Sequence, residues 1–314
     1  MTLHWSSARV LVTGAGGVLG TALLATLRAL SPAALFAPTR ADCDLIDQHA
    51  TWRAIADFQP TVVFHLAGRV AGLGGNLAFT GQAYFENAQI NLNVVEGARR
   101  AGAAKIVAAG TTAVYSDKAP MPMREDDIEI GPPHGSEAPY AHAKRGMLAM
   151  LEAYRTQYGL PFAYMVCTNL YGPNDRFDEV HGHVVPSLIS RFHRTQQAGE
   201  KQIVCWGDGT PTRDFLFAAD AAAAFVTAAE SGQGAYNTAT GQAQPIRDLV
   251  EAIRAASGFD GDIVWDTTKP NGQQRRSYDV SRLRALGWHP ATPLSEGIAR
   301  TWRFYADNAA IVRR

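Results

Sequence analysis

Residues 9–20, RVLVTGAGGVLG, constrain this chain more than any other stretch. A short apolar run at 10–12 ends in Thr13 and passes into glycines at 14, 17 and 20, with Gly16 as an extra. Behind them Leu19, Leu23, Leu24, Leu27 and Leu30 recur at helical spacing until Ser31-Pro32 ends the pattern. The order is strand, tight turn, helix. Such a turn lets backbone approach a pyrophosphate closely, while free amides and the positive end of the helix dipole face the anion. A glycine-rich turn alone is a weak signal, because turns anywhere use Gly for positive φ. Its place after the first strand, opening an amphipathic helix, points to a dinucleotide. Gly14, Gly17, Val18 and Leu19 are the expected cofactor contacts in this turn.

At 314 residues, 46% of them hydrophobic, the chain is long enough for one large domain with a smaller partner. Lys plus Arg and Asp plus Glu balance at 29 each, so charge gives no reason to expect nucleic acid or an anionic membrane as a partner. The first ten residues carry no apolar signal core, and no later run approaches the ~20 apolar residues of a membrane helix. A soluble, cytoplasmic protein is expected. Cys43, Cys167 and Cys205 are odd in number and far apart, which argues against a disulfide framework and a zinc site. They are expected to be small buried side chains. His181-Gly-His183 has no third or fourth ligand at metal spacing, so no metal is expected.

Strand-like runs at 34–37, 62–67 and 105–110 alternate with helical segments at 51–58 and 84–101. This order implies an α/β fold with a Rossmann-type, doubly wound parallel sheet covered on both faces. Ligands of such sheets sit beyond the carboxyl ends of the strands. After 34–37 comes Pro38-Thr39-Arg40, with no acidic residue. Asp or Glu there would accept from a ribose 2′-hydroxyl, whereas Arg suits a 2′-phosphate, so NADP is favoured over NAD. An ordinary surface arginine is the alternative. Asp44-Leu45 either flanks the adenine, or Asp44 caps a helix. Ala67 and the small residues at 68–76 either lie against a flat ring system or form a flexible loop.

The run at 105–110 leads to Thr111 and then to a long Pro-rich, acidic connection ending at Pro139, read as a loop over the active site. It delivers Tyr140-Ala-His-Ala-Lys144, whose spacing puts the phenol and the ammonium on one helical face. Reducing a carbonyl needs a hydride from one side and a proton for the oxygen. A phenol with a pKa near ~10 is a poor partner at neutral pH, and an adjacent cation brings it nearer the working range. Lys144 is expected to supply that field, and Thr111 to hydrogen-bond the same carbonyl oxygen. Tyr and Lys four apart are common on helices. Joined to the glycine turn and to a hydroxyl at the end of an intervening strand, they become a specific set.

With TGAGGVLG, HLAG, TTAVY and YAHAK in this order, the chain resembles the extended short-chain dehydrogenases that work on nucleotide sugars. AGLGGN, the GPP of the long connection, TNLYGPND, GHVVPSLISRFH, VCWGDGTPTRDF and TTKPNGQQRR narrow the resemblance to the GDP-L-fucose synthase family along nearly the whole chain. Members of that family are GDP-4-keto-6-deoxymannose 3,5-epimerase 4-reductases. The resemblance implies that Thr111 stands for the family's catalytic Ser, that Tyr140 and Lys144 are its Tyr and Lys, and that Arg40 selects NADP. It further implies that His183 acts as acid during epimerisation and that Arg191, Arg213 and Trp206 hold the GDP moiety. Lys269 at the far edge and Asn169 complete the implied substrate contacts. Arg offers phosphate a fork, and Trp offers guanine or ribose a flat face.

One departure outweighs these agreements. Where the family has its catalytic cysteine, two residues after the Ser, this chain has Ala113, and a methyl cannot remove protons from carbons beside a ketone. The expected activity is therefore NADPH-dependent reduction of the C4 ketone of a GDP-linked 4-keto-6-deoxy hexose or heptose, without 3,5-epimerisation. The bifunctional 3,5-epimerase/4-reductase is the alternative. NADP-binding sensors or scaffolds typically lack the Tyr and Lys, and Arg40 opposes a non-redox epimerase that retains NAD. By family analogy, 1–171 plus 213–240 form the NADP-binding domain, and 172–212 plus 241–314 the smaller GDP-sugar domain. The substrate then lies in the cleft between them. Residues 162–167 read as another buried strand, 220–230 as a covering helix and 294–311 as a final helix. Helices 84–101 and 140–158 form the dimer interface in such relatives, so a homodimer is expected.

Overall fold

The structure, a computed structural model, describes residues 3–70, 79–135, 137–178, 182–269, 271 and 273–312. It begins with β1 (Arg9–Thr13), α1 (Val18–Ala29), β2 (Ala34–Phe36), α2 (Gln48–Phe58) and β3 (Val62–His65). Then come α3 (Thr80–Arg100), β4 (Lys105–Thr111), α4 (Ala138–Tyr158), β5 (Phe162–Cys167) and β6 (Asn169–Tyr171). Next are α5 (Val184–Gln197), β7 (Gln202–Trp206), β8 (Thr212–Arg213), β9 (Phe215–Phe217), α6 (Ala218–Ser231) and β10 (Gly234–Thr238). The chain closes with β11 (Gln244–Pro245), α7 (Ile246–Ser257), β12 (Asp262–Asp266), α8 (Ser281–Arg284) and α9 (Leu294–Asn308).

Six strands make one parallel, Rossmann-type sheet in the order β10-β5-β4-β3-β1-β2. Strands covered on both faces read as unbroken apolar runs, and β3 and β5 are buried along their whole length. One face packs on α1 and α6 through Leu23, Leu27, Ala221 and Phe225. The other packs on α2, α3 and α4 through Ile55, Val94, Met147 and Leu151. The strand order reverses between β1 and β3, which opens a crevice beyond their carboxyl ends. A third core gathers α5, α7, α9 and the parallel pair β7–β12 around Ile189, Phe192, Leu249 and Ile298. Buried Asp214 ties this part to the large sheet. Its carboxylate accepts from the amides of Thr240, Gly241 and Gln242 at 2.8–3.1 Å and from the Thr240 hydroxyl at 2.8 Å. Its carbonyl accepts from Thr168 and Asn169, both at 3.0 Å.

Two readings of the sequence need correction. Asp44 is not the helix cap: the Asp47 carboxylate accepts from the Ala50 amide at 3.0 Å and starts α2, while Asp44 accepts from Ile46 and from Arg40. The 116–139 connection is also tied down more firmly than a plain loop. It carries a 3-10 turn at Glu125–Glu129, and Met123 bridges to Tyr278 by exchanging bonds with Ser277 and Asp279, both 2.9 Å. The Glu125 carboxylate takes the Asn237 amide at 2.7 Å, which occupies a donor on the edge strand β10. The 71–76 motif AGLGGN lies outside the described residues. Among the described residues, no helix is long and apolar enough to cross a membrane.

The glycine turn explains how α1 is aimed. Gly14 has φ +71°, and a Cβ there would lie 2.7 Å from the Ala67 amide nitrogen, so β1 can turn only against bare backbone. A Cβ on Gly20 would run into the Gly14 carbonyl, so α1 and the turn are in direct backbone contact. Gly20→Ala is therefore expected to cost about 1–3 kcal/mol of stability, read as a lower urea midpoint. Gly16→Ala, whose Cβ would meet nothing within 4 Å, should leave that midpoint unchanged.

Candidate active site

The carboxyl ends of β1, β3 and β4 bring Thr13, His65 and Thr111 to one edge of the sheet, below the turn into α1. The N-cap of α1, Gly17, offers no side-chain acceptor, and the first turn holds no acidic residue, so its amides are left for an outside anion. The open space beside Gly16 gives that anion room. Val18 is half-buried, whereas the Leu19 side chain belongs to the core beneath, so Leu19 has only its backbone N–H for such an anion. Ala67 is buried, with its amide donating to Thr13 Oγ1 at 3.3 Å. Beyond β2 the Arg40 side chain is 77% exposed, 3.2 Å from Asp44, and half-buried Leu45 follows. An uncapped helix end, space over the turn and an exposed guanidinium fit a dinucleotide carrying an extra phosphate.

On α4 the four-residue spacing does place Tyr140 and Lys144 together: the ammonium is 5.9 Å from the centre of the phenol ring. Lys144 is almost fully buried and donates to the Ala109 carbonyl of β4 at 2.9 Å. Burial pulls its pKa down to about 8, which leaves it mostly charged at neutral pH. The expected lowering of the Tyr140 pKa does not occur here. Burial raises it, and the neighbouring Cys167 and Glu137 push the same way, so the phenol keeps its proton. Thr111 Oγ1 accepts from the Ala113 amide at 3.2 Å and caps the 3-10 turn Thr112–Val114, in which Ala113 is buried.

Several neighbours of this set were passed over in the sequence. Cys167, remote from Ala113 along the chain, pairs in register with Thr111 across β4 and β5. Its thiol donates to the Met165 carbonyl at 3.3 Å, and burial pushes its pKa up to about 12, so it is a neutral group and not a base. Arg276, quoted only as part of QQRR, is buried and donates to the Thr112 carbonyl at 3.0 Å, to Asp117 at 3.2 Å and to Gln273 at 2.6 Å. Arg213 donates to the Gln273 carbonyl at 2.7 Å, so both arginines hold the same strap of chain. Glu137 precedes Tyr140 by three residues at the start of α4, and its charge acts on Tyr140, His183 and Arg213 together. Its position in SEAPY, one turn before the phenol, was the available signal.

His183 sits at the N-cap of α5, but its side chain does not cap the helix. The residue is exposed, yet the protein around it partly desolvates its ring. That surrounding protein lowers its pKa, and Glu137 opposes the shift. A second group forms on and beside β7. Trp206 is 64% exposed, Lys269 Nζ is 5.9 Å from its ring centre, and Arg191 donates to the Val204 carbonyl at 3.0 Å. The Asn169 amide nitrogen is committed to the Asp214 carbonyl, leaving its oxygen as the group that can face a ligand. His181 lies outside the described residues, and among the described residues no cluster of His, Cys, Asp or Glu could hold a metal ion.

The sequence profile of the NAD dependent epimerase/dehydratase family matches residues 10–239. The chain belongs to that family. A relative named as probable GDP-L-fucose synthase 1, from Oryza sativa subsp. japonica, is 34% identical over 309 residues, covering 98% of this chain and 94% of its own. The crystal structure of a GDP-L-fucose synthetase from Naegleria fowleri bound to NADP matches with a TM-score of 0.90 at 28% identity, covering 100% of this chain and 98% of that one. The GDP-mannoheptose C4 reductase from Campylobacter jejuni, solved with NADP bound, matches with a TM-score of 0.85 at 25% identity, covering 96% and 99%.

The link between Glu137 and His183 can be measured directly. Glu137→Gln removes the charge that opposes burial, so the His183 imidazole should titrate at lower pH than in the parent protein. NMR titration of the ring protons reads this, and an unmoved midpoint would mean that the carboxylate does not reach the ring.

Proposed function

We propose that the chain catalyses NADPH-dependent reduction of the C4 ketone of a GDP-linked 4-keto-6-deoxy sugar. The observation that carries this reading is Lys144 beside the Tyr140 ring on α4, bonded to Ala109 of β4, the strand that ends in Thr111, together with an uncapped glycine turn. Relatives named as GDP-L-fucose synthases support the substrate class, and matched structures with NADP bound support the cofactor. NADPH, when bound, supplies the hydride. Gly14, Gly17 and the amides of Val18 and Leu19 hold its pyrophosphate in this reading, and Arg40, steadied by Asp44, takes the 2′-phosphate. Leu45 and Ala67 offer apolar surface to its rings. Tyr140, kept protonated by burial, gives its proton to the carbonyl oxygen as charge builds there, and Lys144 stabilises the phenolate left behind. Thr111 accepts from Ala113 with its lone pair and so keeps its hydroxyl hydrogen for the same oxygen. Arg191 and Arg213 take the diphosphate of the sugar nucleotide, Trp206 the guanine or ribose, and Asn169 and Lys269 its edges.

Whether the carbons flanking the ketone are also epimerised divides two readings. The names of the relatives favour the 3,5-epimerase/4-reductase over reduction alone. Glu137 and His183 add to that side, since a carboxylate and an imidazole acting on one another supply the two proton-exchanging groups that epimerisation needs. Ala113 is the observation on the side of reduction alone. The balance supports the bifunctional reading. We further propose the division into 1–171 plus 213–240 and 172–212 plus 241–314. The proposed homodimer uses α3 and α4, on which Tyr84, Phe85, Leu92 and Tyr158 stand exposed.

Incubation with GDP-4-keto-6-deoxymannose and NADPH is expected to consume NADPH, followed by its absorbance. No consumption would sink the reading. In deuterated water, deuterium at the carbons beside the ketone marks epimerisation, and its absence leaves the plain reductase. Arg40→Ala should raise KM for NADPH by about tenfold or more, the loss of a charge-assisted contact worth roughly 1.5–3 kcal/mol, with KM for NADH little changed.

A further inference from the structure

Beneath the glycine turn runs a line of buried side chains that the reaction itself does not use. Thr13, the last residue of β1, places its Oγ1 2.8 Å from His65 Nδ1 at the end of β3. The His65 Nε2 is 3.1 Å from Asn91 Oδ1 on α3, and the Asn91 amide nitrogen donates to the Ala143 carbonyl of α4 at 3.2 Å. Thr13, His65 and Asn91 are each at most 2% exposed, so none can turn to water for a partner.

The donors and acceptors are consistent in only one direction. The Ala143 carbonyl can only accept, so Asn91 turns its amide nitrogen there and its Oδ1 to the ring. The ring proton therefore sits on Nε2, and Nδ1 accepts the hydroxyl hydrogen of Thr13, whose Oγ1 takes the Ala67 amide. A second proton on His65 would take away the acceptor of the Thr13 hydroxyl and add a cation near Lys144. Burial and the charge of Lys144 accordingly hold the His65 pKa at about 3. The ring stays neutral across the working range.

We propose that His65 and Asn91 are positioning residues, which lock the Ala143–Lys144 turn of α4 to the floor of the cofactor site and so fix the ammonium of Lys144. Ala143 is the residue before Lys144, so the link reaches the lysine through one peptide unit. Two other strands hold the same turn: Tyr164 of β5 donates to the Lys144 carbonyl at 3.0 Å, and Lys144 Nζ donates to Ala109 of β4 at 2.9 Å. His65 and Asn91 supply the part of this grip that comes from β1 and β3, the strands that carry the glycine turn and Ala67. The titratable groups that act on Lys144 or His65 here are each other and Cys167, and Tyr140 lies beside the ammonium. The inference rests on Tyr140 and Lys144 being the reacting pair.

The test compares His65→Gln, His65→Asn and Asn91→Leu in the whole protein. Gln can still present an N–H to Asn91, whereas Asn ends near the Nδ1 position and stops short of it. Lysines carrying 13C at Cε report Lys144 by NMR without any substrate, its signal being told from that of Lys105, which burial also lowers to about 8, by its loss in Lys144→Arg. In His65→Asn and Asn91→Leu, that titration should move up toward the ordinary lysine value, and kcat should fall about 10- to 100-fold, the usual result of small misplacements. KM for NADPH should stay within about twofold in these variants, and His65→Gln should keep both the titration and most of kcat. An unchanged Lys144 titration in His65→Asn and Asn91→Leu would overturn the proposal. So would His65→Gln losing as much as His65→Asn, since the role would then be packing. Should Asn91→Leu fail to fold, the Gln and Asn pair at position 65 still decides. A Lys144 shift as expected, in a parent protein that oxidises no NADPH with the keto sugar, would sink the proposed reaction and leave the positioning role standing.

Discussion

The start of α1 lies against the carbonyl of Gly14, and much of the site depends on that contact. Because Gly20 has no side chain to hold the helix away, the first turn of α1 is pressed onto the end of β1 with its amides aimed into the crevice between β1 and β3. Because Gly14 presses equally closely on Ala67, the two strand ends cannot separate, and Thr13 can reach both the Ala67 amide and His65 beneath them. A side chain at either glycine would widen the crevice and break the bonds under it. The parallel sheet supplies the complementary constraint. Strands buried on both faces expose their backbone only at their ends, so the polar groups left for chemistry collect at one edge of the sheet.

Burial then decides how the two central groups of α4 behave. Desolvation disfavours charge on both, lowering the pKa of Lys144 and raising that of Tyr140. The intuitive reading, in which the ammonium simply makes the phenol more acidic, neglects that the ammonium is also directed at the Ala109 carbonyl and that Glu137 and Cys167 work against an anion on the ring. The outcome is a neutral phenol beside a cation held by the backbone. In chemical terms, such a pair can donate a proton to a carbonyl oxygen that is gaining charge. It is far less suited to removing a proton from a substrate at rest.

The sheet was legible in the sequence because its strands are uniformly apolar: the runs at 62–67, 105–110 and 162–167 coincide with β3, β4 and β5 to within two residues. The spacing of Tyr140 and Lys144 was legible for the related reason that a helix repeats. What escaped was pairing at a distance. β8 and β11 have two residues each, and β7 needs β12, some 60 residues on, before it is a strand at all. α3 starts before its expected boundary because Thr80, Gly81 and Gln82 are polar and carry no periodic signal. Arg276 reaches Thr112 from more than 160 positions away, and Cys167 meets Thr111 only once β5 lies beside β4. His65 lies inside the apolar run 62–67 with no signal of its own, and only the arrival of α3 from one side and Thr13 from the other gives its two nitrogens their partners.

Ala113 shows how much weight a single position can bear. In one dimension, a methyl where a thiol is expected removes the base, and the conclusion follows that no proton leaves the carbons beside the ketone. In three dimensions, the reach of a cleft is set by every side chain that faces it. Cys167 stands on the next strand but is too weak an acid to hold a negative charge at neutral pH, so proximity alone does not make it a substitute. Glu137 differs: it begins the helix of Tyr140, and its charge is felt by His183. A carboxylate is a weaker base than a thiolate, yet it is ionised without assistance at neutral pH, where a thiol must first be stripped of its proton. Loss of one base therefore constrains the chemistry only as far as the remaining charges of the cleft allow.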